Sequence, residues 1–120
     1  MPFMFENLDV YQKAVDFTDR AVGLTEDFPR GYGFLADQLN RAALSIATNL
    51  AEGNGRFTKA DRKHFSVIAR GSAQECIPLL EIAKRGGLIA AEDQTAMGDD
   101  LEVMAKMISG LIKGLDNRAT

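Results

Sequence analysis

Four stretches of this chain repeat their apolar residues at the i, i+3, i+4 spacing of a one-sided helix, and glycine or proline falls between each stretch and the next. The first spans about 8–25. Tyr11, Ala14, Val15, Thr18, Ala21, Val22 and Leu24 lie near one stripe, with Lys13, Asp16, Asp19 and Arg20 turned away. Asn7 is placed to cap it, and Phe28-Pro29-Arg30-Gly31 ends it, because proline disfavours a helical residue before it. The second spans about 33–52 and turns Leu35, Leu39, Ala42, Ala43, Ile46, Ala47 and Leu50 to one side. Gly53 is placed just past its end, with Asn54-Gly55 as the turn.

The third spans about 58–85. Thr58-Lys59-Ala60-Asp61 reads as a capping box with Asp in place of Glu, and Phe65, Ile68, Ala69, Cys76, Leu79, Leu80 and Ala83 form the apolar side before Gly86-Gly87. Pro78 lies inside it, which predicts a kink rather than two helices, since the period continues on both sides. The fourth spans about 92–115, with Met97, Leu101, Met104, Ile108, Leu111, Ile112 and Leu115 in period. Glu92 and Asp93 sit at the positive end of its dipole, and the tail from Asp116 to Thr120 is expected to fray. Four helices with short links predict an all-α, antiparallel, up-down-up-down four-helix bundle, one domain over residues 1–120.

Composition narrows the chemistry. At 120 residues and 46% hydrophobic content the chain can build a core without staples. The lone Cys76 excludes an intrachain disulfide and fits a reducing compartment. One histidine, His64, cannot build paired Glu-x-x-His sites, and with one cysteine it gives no zinc constellation. Gly53-Asn54-Gly55 lacks the third glycine and the preceding strand of a dinucleotide loop. No cofactor, metal or catalytic set is therefore expected. No signal pattern or membrane-length apolar run is seen, which predicts a cytoplasmic protein with no membrane partner. A net charge of -3 argues against a whole-surface nucleic-acid binder but leaves room for a local basic patch. Cys76 reads as a small core residue, His64 as a surface or interface residue, and Met97, Met104 and Met107 as gap-fillers.

Two features go beyond a plain bundle. Gln38, Arg41, Ser45, Asn49 and Glu52 follow at spacings of three and four, a single face of the second helix, while Ser72 and Glu75 fall on or near the apolar stripe of the third. Polar groups beside apolar faces are costly unless paired. The candidate pairs are Arg41 with Glu75, and Asn49 or Glu52 with backbone or Arg56. Three readings stand: a solvated face, a polar layer between helices or subunits that sets register, or a catalytic carboxylate at Glu52 or Glu75. The layer is favoured over the solvated face because Ser, Asn and Ala replace the usual Lys and Glu, and no base or metal motif accompanies either carboxylate. Separately, Arg56, Lys59, Arg62, Lys63 and Arg70 cluster with only Asp61 opposing them. They read either as a solvated face or as a patch for nucleic acid or an acidic partner. Phe57 and Phe65 are the only interleaved aromatics, and Phe65 is expected in the core.

The runs Gln38-Leu39-Asn40-Arg41-Ala42-Ala43, Asn49-Leu50-Ala51-Glu52-Gly53, Gly55-Arg56 and Ala69-Arg70-Gly71-Ser72 with Glu75, together with the start Phe5-Glu6-Asn7-Leu8-Asp9-Val10-Tyr11, resemble the 23S rRNA intervening-sequence proteins. The resemblance extends from about Phe5 to Leu115. It implies a small up-and-down bundle that assembles into a homopentameric ring. Some members are encoded within 23S rRNA genes and others stand alone in bacterial genomes, so the link to ribosomal RNA is one of gene location, and no biochemical activity is established for the family. Distantly similar accessory proteins of diversity-generating retroelements form basic pentamers that bind a reverse transcriptase and nucleic acid; this chain departs from them in being acidic. Pro78 also departs from the pattern, where a helical residue is expected. The combined expectation is a non-enzymatic, ring-forming interaction or scaffold protein whose first partner is itself. The alternative is a nucleic-acid or ribonucleoprotein accessory that uses the basic patch.

Overall fold

The computed structural model describes residues 4–117. A short 3-10 turn, Met4–Asn7, leads into four α-helices: α1 (Asp9–Thr25), α2 (Gly33–Asn54), α3 (Lys59–Arg85) and α4 (Ala91–Asp116). No strand occurs among the described residues. The connections are too short for anything but side-by-side packing of neighbours, and the helices form an up-down-up-down bundle in which α2 and α3 share the most extensive contact and α4 returns to α1. The expected tail beyond residue 117 lies outside the described residues.

Several boundaries have a local cause. The turn Met4–Asn7 moves the N-cap of α1 from the expected Asn7 to Leu8, whose N–H bonds the Phe5 carbonyl at 3.0 Å. Thr58 caps α3 by accepting the Asp61 N–H at 3.1 Å, half of the expected capping box. α3 ends where Gly87 adopts a φ of 72° and the Leu88 and Gly87 N–H groups return to the Ala83 and Lys84 carbonyls at 2.9 and 3.0 Å. That is a left-handed glycine closing a helix end, a conformation costly for any other residue.

Gly53 behaves differently from the expectation. It does not end α2, which continues to Asn54 with Gly55 as the C-cap. A Cβ on Gly53 would sit 2.8 Å from Phe65 Cβ, so the glycine is there to let α3 approach. Pro78 does not break α3, which is a single helix through it. The proline and Gln74 are both exposed. The carbonyl that loses its helical donor can therefore bond water instead.

The core is built from Ala14, Phe17 and Ala21 of α1, Leu39, Ala43 and Ile46 of α2, Ala69, Cys76 and Leu80 of α3, and Met97, Leu101, Met104 and Ile108 of α4, with flanking residues. All seven expected apolar positions of α2 are buried. α1 and α3 are rotated from their expected faces. In α1, Val10 and Phe17 point inward and Val15 and Val22 are 39% and 40% exposed. In α3, Ser66, Ser72 and Ala73 take the inner seam, leaving Ile68 exposed and Phe65 and Leu79 half-buried. In α4, Leu111 turns partly outward. The seam of α3 meets α2 at Ser45 and Gly53, where Ser72 and Phe65 approach, and close approach of two helices favours the residues with the least volume between them.

Candidate polar layer and surface sites

The polar stripe of α2 divides along its length by depth. Ser45 and Asn49 are half-buried, while Gln38, toward the start of the helix, and Arg41 and Glu52, farther round from the core, are exposed. Ser45 Oγ and the buried Ser72 Oγ of α3 are 2.8 Å apart. Asn49 Nδ2 donates to Ser45 Oγ at 2.9 Å and to the Ser45 carbonyl at 2.8 Å. This three-residue network ties α2 to α3 and sets their register, because the Ser45–Ser72 bond is broken if either helix slides by a turn. No side-chain N or O buried among the described residues lacks a partner.

The expected Arg41–Glu75 pair is not formed. Both side chains are exposed, and neither makes an ion pair or hydrogen bond among the described residues. The inner seam of α3 is Ser72 and Ala73, which carries Glu75 to the rim. Glu52 pairs instead with Arg56 one turn on, at 3.0 Å, with both partners substantially exposed. Glu75 acts on Cys76, whose thiol is pushed up to about 12, first by burial and second by that carboxylate. The cysteine is a core residue held in its neutral form.

The basic segment is folded into the bundle more than its sequence suggests. Arg56 holds Glu52 and lies 4.7 Å over the ring of Phe65, itself half-buried. Arg62 turns back and donates from Nε to the Arg56 carbonyl at 2.7 Å. It lines a cavity of about 170 Å3 at the bundle end with Leu8, Leu50, Leu111 and Leu115. Lys63 reaches Asp116 of α4 at 2.9 Å, and Arg70 Nε donates to Ser109 at 2.7 Å. Lys59 stands in the first turn of α3, beside this group. Arg56, Lys59, Arg62 and Lys63 share one end of the bundle, and Arg70 lies two turns along on the α4 side. His64 is exposed, edge-on to Phe65.

Two surface features were not evident in the sequence. Phe57 is fully exposed in the α2–α3 turn, and a groove of about 510 Å3 opens between α1 and α2. The groove is lined by Phe5, Tyr11, Val15, Val22, Leu44, Ala47 and Ala51, with Thr18, Asp19 and Thr48 among them. The only signal for it was Leu44, an apolar residue outside the stripe of α2. No group of three or more His, Cys, Asp and Glu residues among those described is placed to hold a metal, and no helix among them is long and apolar enough to cross a membrane.

A sequence model of the 23S rRNA-intervening sequence protein family matches residues 6–110. Among solved structures, the chain is similar to a protein of unknown function from the S23 ribosomal protein family of Bacteroides thetaiotaomicron. The TM-score is 0.80 at 25% identity, over 87% of this chain and 98% of that one. No functionally curated protein matches the sequence.

Proposed function

The chain belongs to the 23S rRNA-intervening sequence protein family, and from that premise we propose that it works as a non-enzymatic homo-oligomer, a ring of five in which each bundle is one stave and the assembled surface is the scaffold for a partner. The observation that carries this reading is apolar surface left open by the single chain. The accessible area is 7404 Å2, whereas a compact monomer of this mass exposes about 6,400 Å2. The excess is about 1,000 Å2, against the roughly 1,600 Å2 that the two interfaces of a ring member would bury at about 800 Å2 each. Part of it comes from shape, since the bundle measures 50 × 27 × 20 Å. Part is exposed apolar side chain, with Leu44, Val67, Ile77 and Ile82 each about half open to solvent. The number five is what the family resemblance implies, and the cytoplasm is the compartment that the lone cysteine fits.

The test is light scattering after size exclusion, at low and high salt, with absorbance read at 260 and 280 nm. A mass near five chains at both salt concentrations, without nucleic acid, is the expected result. A single-chain mass across the micromolar range sinks the reading.

Phe57 favours one second reading, a nucleic-acid accessory role. A fully exposed phenylalanine between Arg56 and Lys59 in the chain is a stacking platform next to cations. Its test is affinity for single-stranded RNA against salt. Binding that weakens on Phe57→Ala, and whose salt slope falls by about one when Lys59→Ala removes a phosphate-binding cation, supports it. Binding unchanged by both removes it.

A further inference from the structure

The apolar side chains outside the core include two faces of opposite shape. The α1–α2 groove is concave, because Val15, Val22 and Leu44 stand out from the smaller Ala47 and Ala51, and Asp19 is the one charge on its lining. On α3, Ile68, Glu75, Leu79 and Ile82 fall in one row at helical spacing, with Ile68 and Ile82 37% and 52% exposed, so this face is a ridge. We propose that the α1–α2 groove is the seat for helix α3 of a second copy of this chain, in a head-to-tail contact, with Arg41 of one copy meeting Glu75 of the next. The proposal rests on the homo-oligomer reading above and names its interface.

Three observations carry it. A groove and a ridge on one chain are not copies of the same patch, so their contact leaves a free groove at one end and a free ridge at the other. Such a contact repeats from copy to copy and closes as a ring when the rotation between copies allows it. Second, Glu75 is the one charge in the ridge row, and covering it with a mainly apolar groove that itself holds Asp19 is costly unless a cation meets it. Arg41 lies one turn before Leu44 on α2 and has no partner among the described residues of its own chain. Third, the heights agree. The Ser45–Ser72 bond fixes the antiparallel register of α2 and α3, which puts Arg41 level with Cys76, next to Glu75. In a ring whose axis runs along the bundles, groups at equal height face each other across every interface.

The experiment substitutes exposed positions, so that the isolated bundle keeps its helix content by circular dichroism. Leu44→Glu in the groove and Ile82→Glu on the ridge should each reduce the assembled mass to a single chain, weakening association at least tenfold. Val103→Glu, on α4 outside both faces and also exposed, should leave the mass unchanged. Arg41→Glu and Glu75→Arg should each weaken assembly, and the two together in one chain should restore it. A single-chain mass for the unsubstituted protein defeats the homo-oligomer reading itself. An assembled protein that keeps its mass with Leu44→Glu or Ile82→Glu overturns the docking proposal alone, and a double charge swap no better than its parts overturns the Arg41–Glu75 pairing. If a variant loses helicity, oxidation decides instead. Copies carrying Thr48→Cys should crosslink to copies carrying Ile68→Cys and neither to itself; self-crosslinking by either variant, or no crosslink in the mixture, overturns the head-to-tail arrangement.

Discussion

Single residues divide here by whether their space is already taken. Gly53 has none to spare: a Cβ would meet Phe65 Cβ at 2.8 Å and the Arg62 carbonyl at 3.4 Å. The backbone on both sides is helical, so the conflict must push α2 and α3 apart. Gly53→Ala should therefore destabilise the bundle by about 1–2 kcal/mol, an overpacking cost that exceeds the ~1 kcal/mol helix gain of alanine. Gly110, exposed on α4 with nothing within 4 Å, is the opposite case. Gly110→Ala should stabilise by ~0.5–1 kcal/mol, and urea unfolding of the two variants reads both signs at once. Cys76 supplies a pH dependence. Its folded pKa is raised from 9.0 to about 12, so between those values the folded chain holds a proton that the unfolded chain has released. The contribution is complete below pH 9 and disappears as pH rises toward 12. Wild-type stability should fall faster than that of Cys76→Ala over this window, and Cys76 should resist alkylation at pH 8 until the protein is unfolded. Parallel alkaline titrations of the two proteins would show that burial does not govern the thiol.

Elements were legible where packing follows size and hydrophobicity together, and obscure where the two conflict. α2 was readable because Leu35, Leu39, Ala42, Ala43, Ile46, Ala47 and Leu50 share one stripe, and all seven are buried. α3 was not, because its bulkier apolar residues suggest one face and its small residues another. The close α2–α3 contact selects Ser66, Ser72, Ala73 and Cys76 and turns Ile68 outward. The same rotation explains the candidate site: Ser45, Asn49 and Ser72 meet as the polar stripe suggested, while Arg41 and Glu75 are carried to the rim. The α1–α2 groove stayed hidden because Val15 and Val22 fit a helical stripe whether they face the core or a neighbour, and only tertiary placement separates those outcomes. Two variants test this account of α3. Arg41→Ala should leave the stability of the single chain within ~0.5 kcal/mol, as for an exposed unpaired residue, whereas Ser72→Ala should cost ~1 kcal/mol because its bond to Ser45 is gone. Pro78→Ala should raise the thermal midpoint. It restores a donor to the Gln74 carbonyl, and a gain of about 2 kcal/mol remains after the unfolded chain recovers its freedom.

At the scale of the molecule, charge and surface area point to different tasks for different regions. The half of the bundle that holds the α2–α3 turn carries eight Lys and Arg against six Asp and Glu among the described residues, and the other half five against eleven. The net acidity is thus a property of one end, and the other holds the exposed Phe57 and the basic segment. The flanks between the ends carry the groove and ridge, where the proposed apolar packing would respond little to salt, whereas the alternative of anion binding at the basic end would respond strongly. On the proposed homo-oligomer reading, assembly along the flanks would also make stability depend on concentration. Association with a second folded copy draws the chain away from its unfolded state, so each tenfold rise in protein above the dissociation constant adds up to about 1.4 kcal/mol per interface. The thermal midpoint should therefore climb between 1 and 100 μM, at about 4–8 °C per kcal/mol at the lower end of domain sizes and somewhat less for a chain this long. With Leu44→Glu, which charges the groove but spares the core, the midpoint should be flat over the same range. A concentration-independent midpoint for the wild type would mean that the exposed valines, leucines and isoleucines are tolerated by the free bundle, and that its flanks are not built for a second copy.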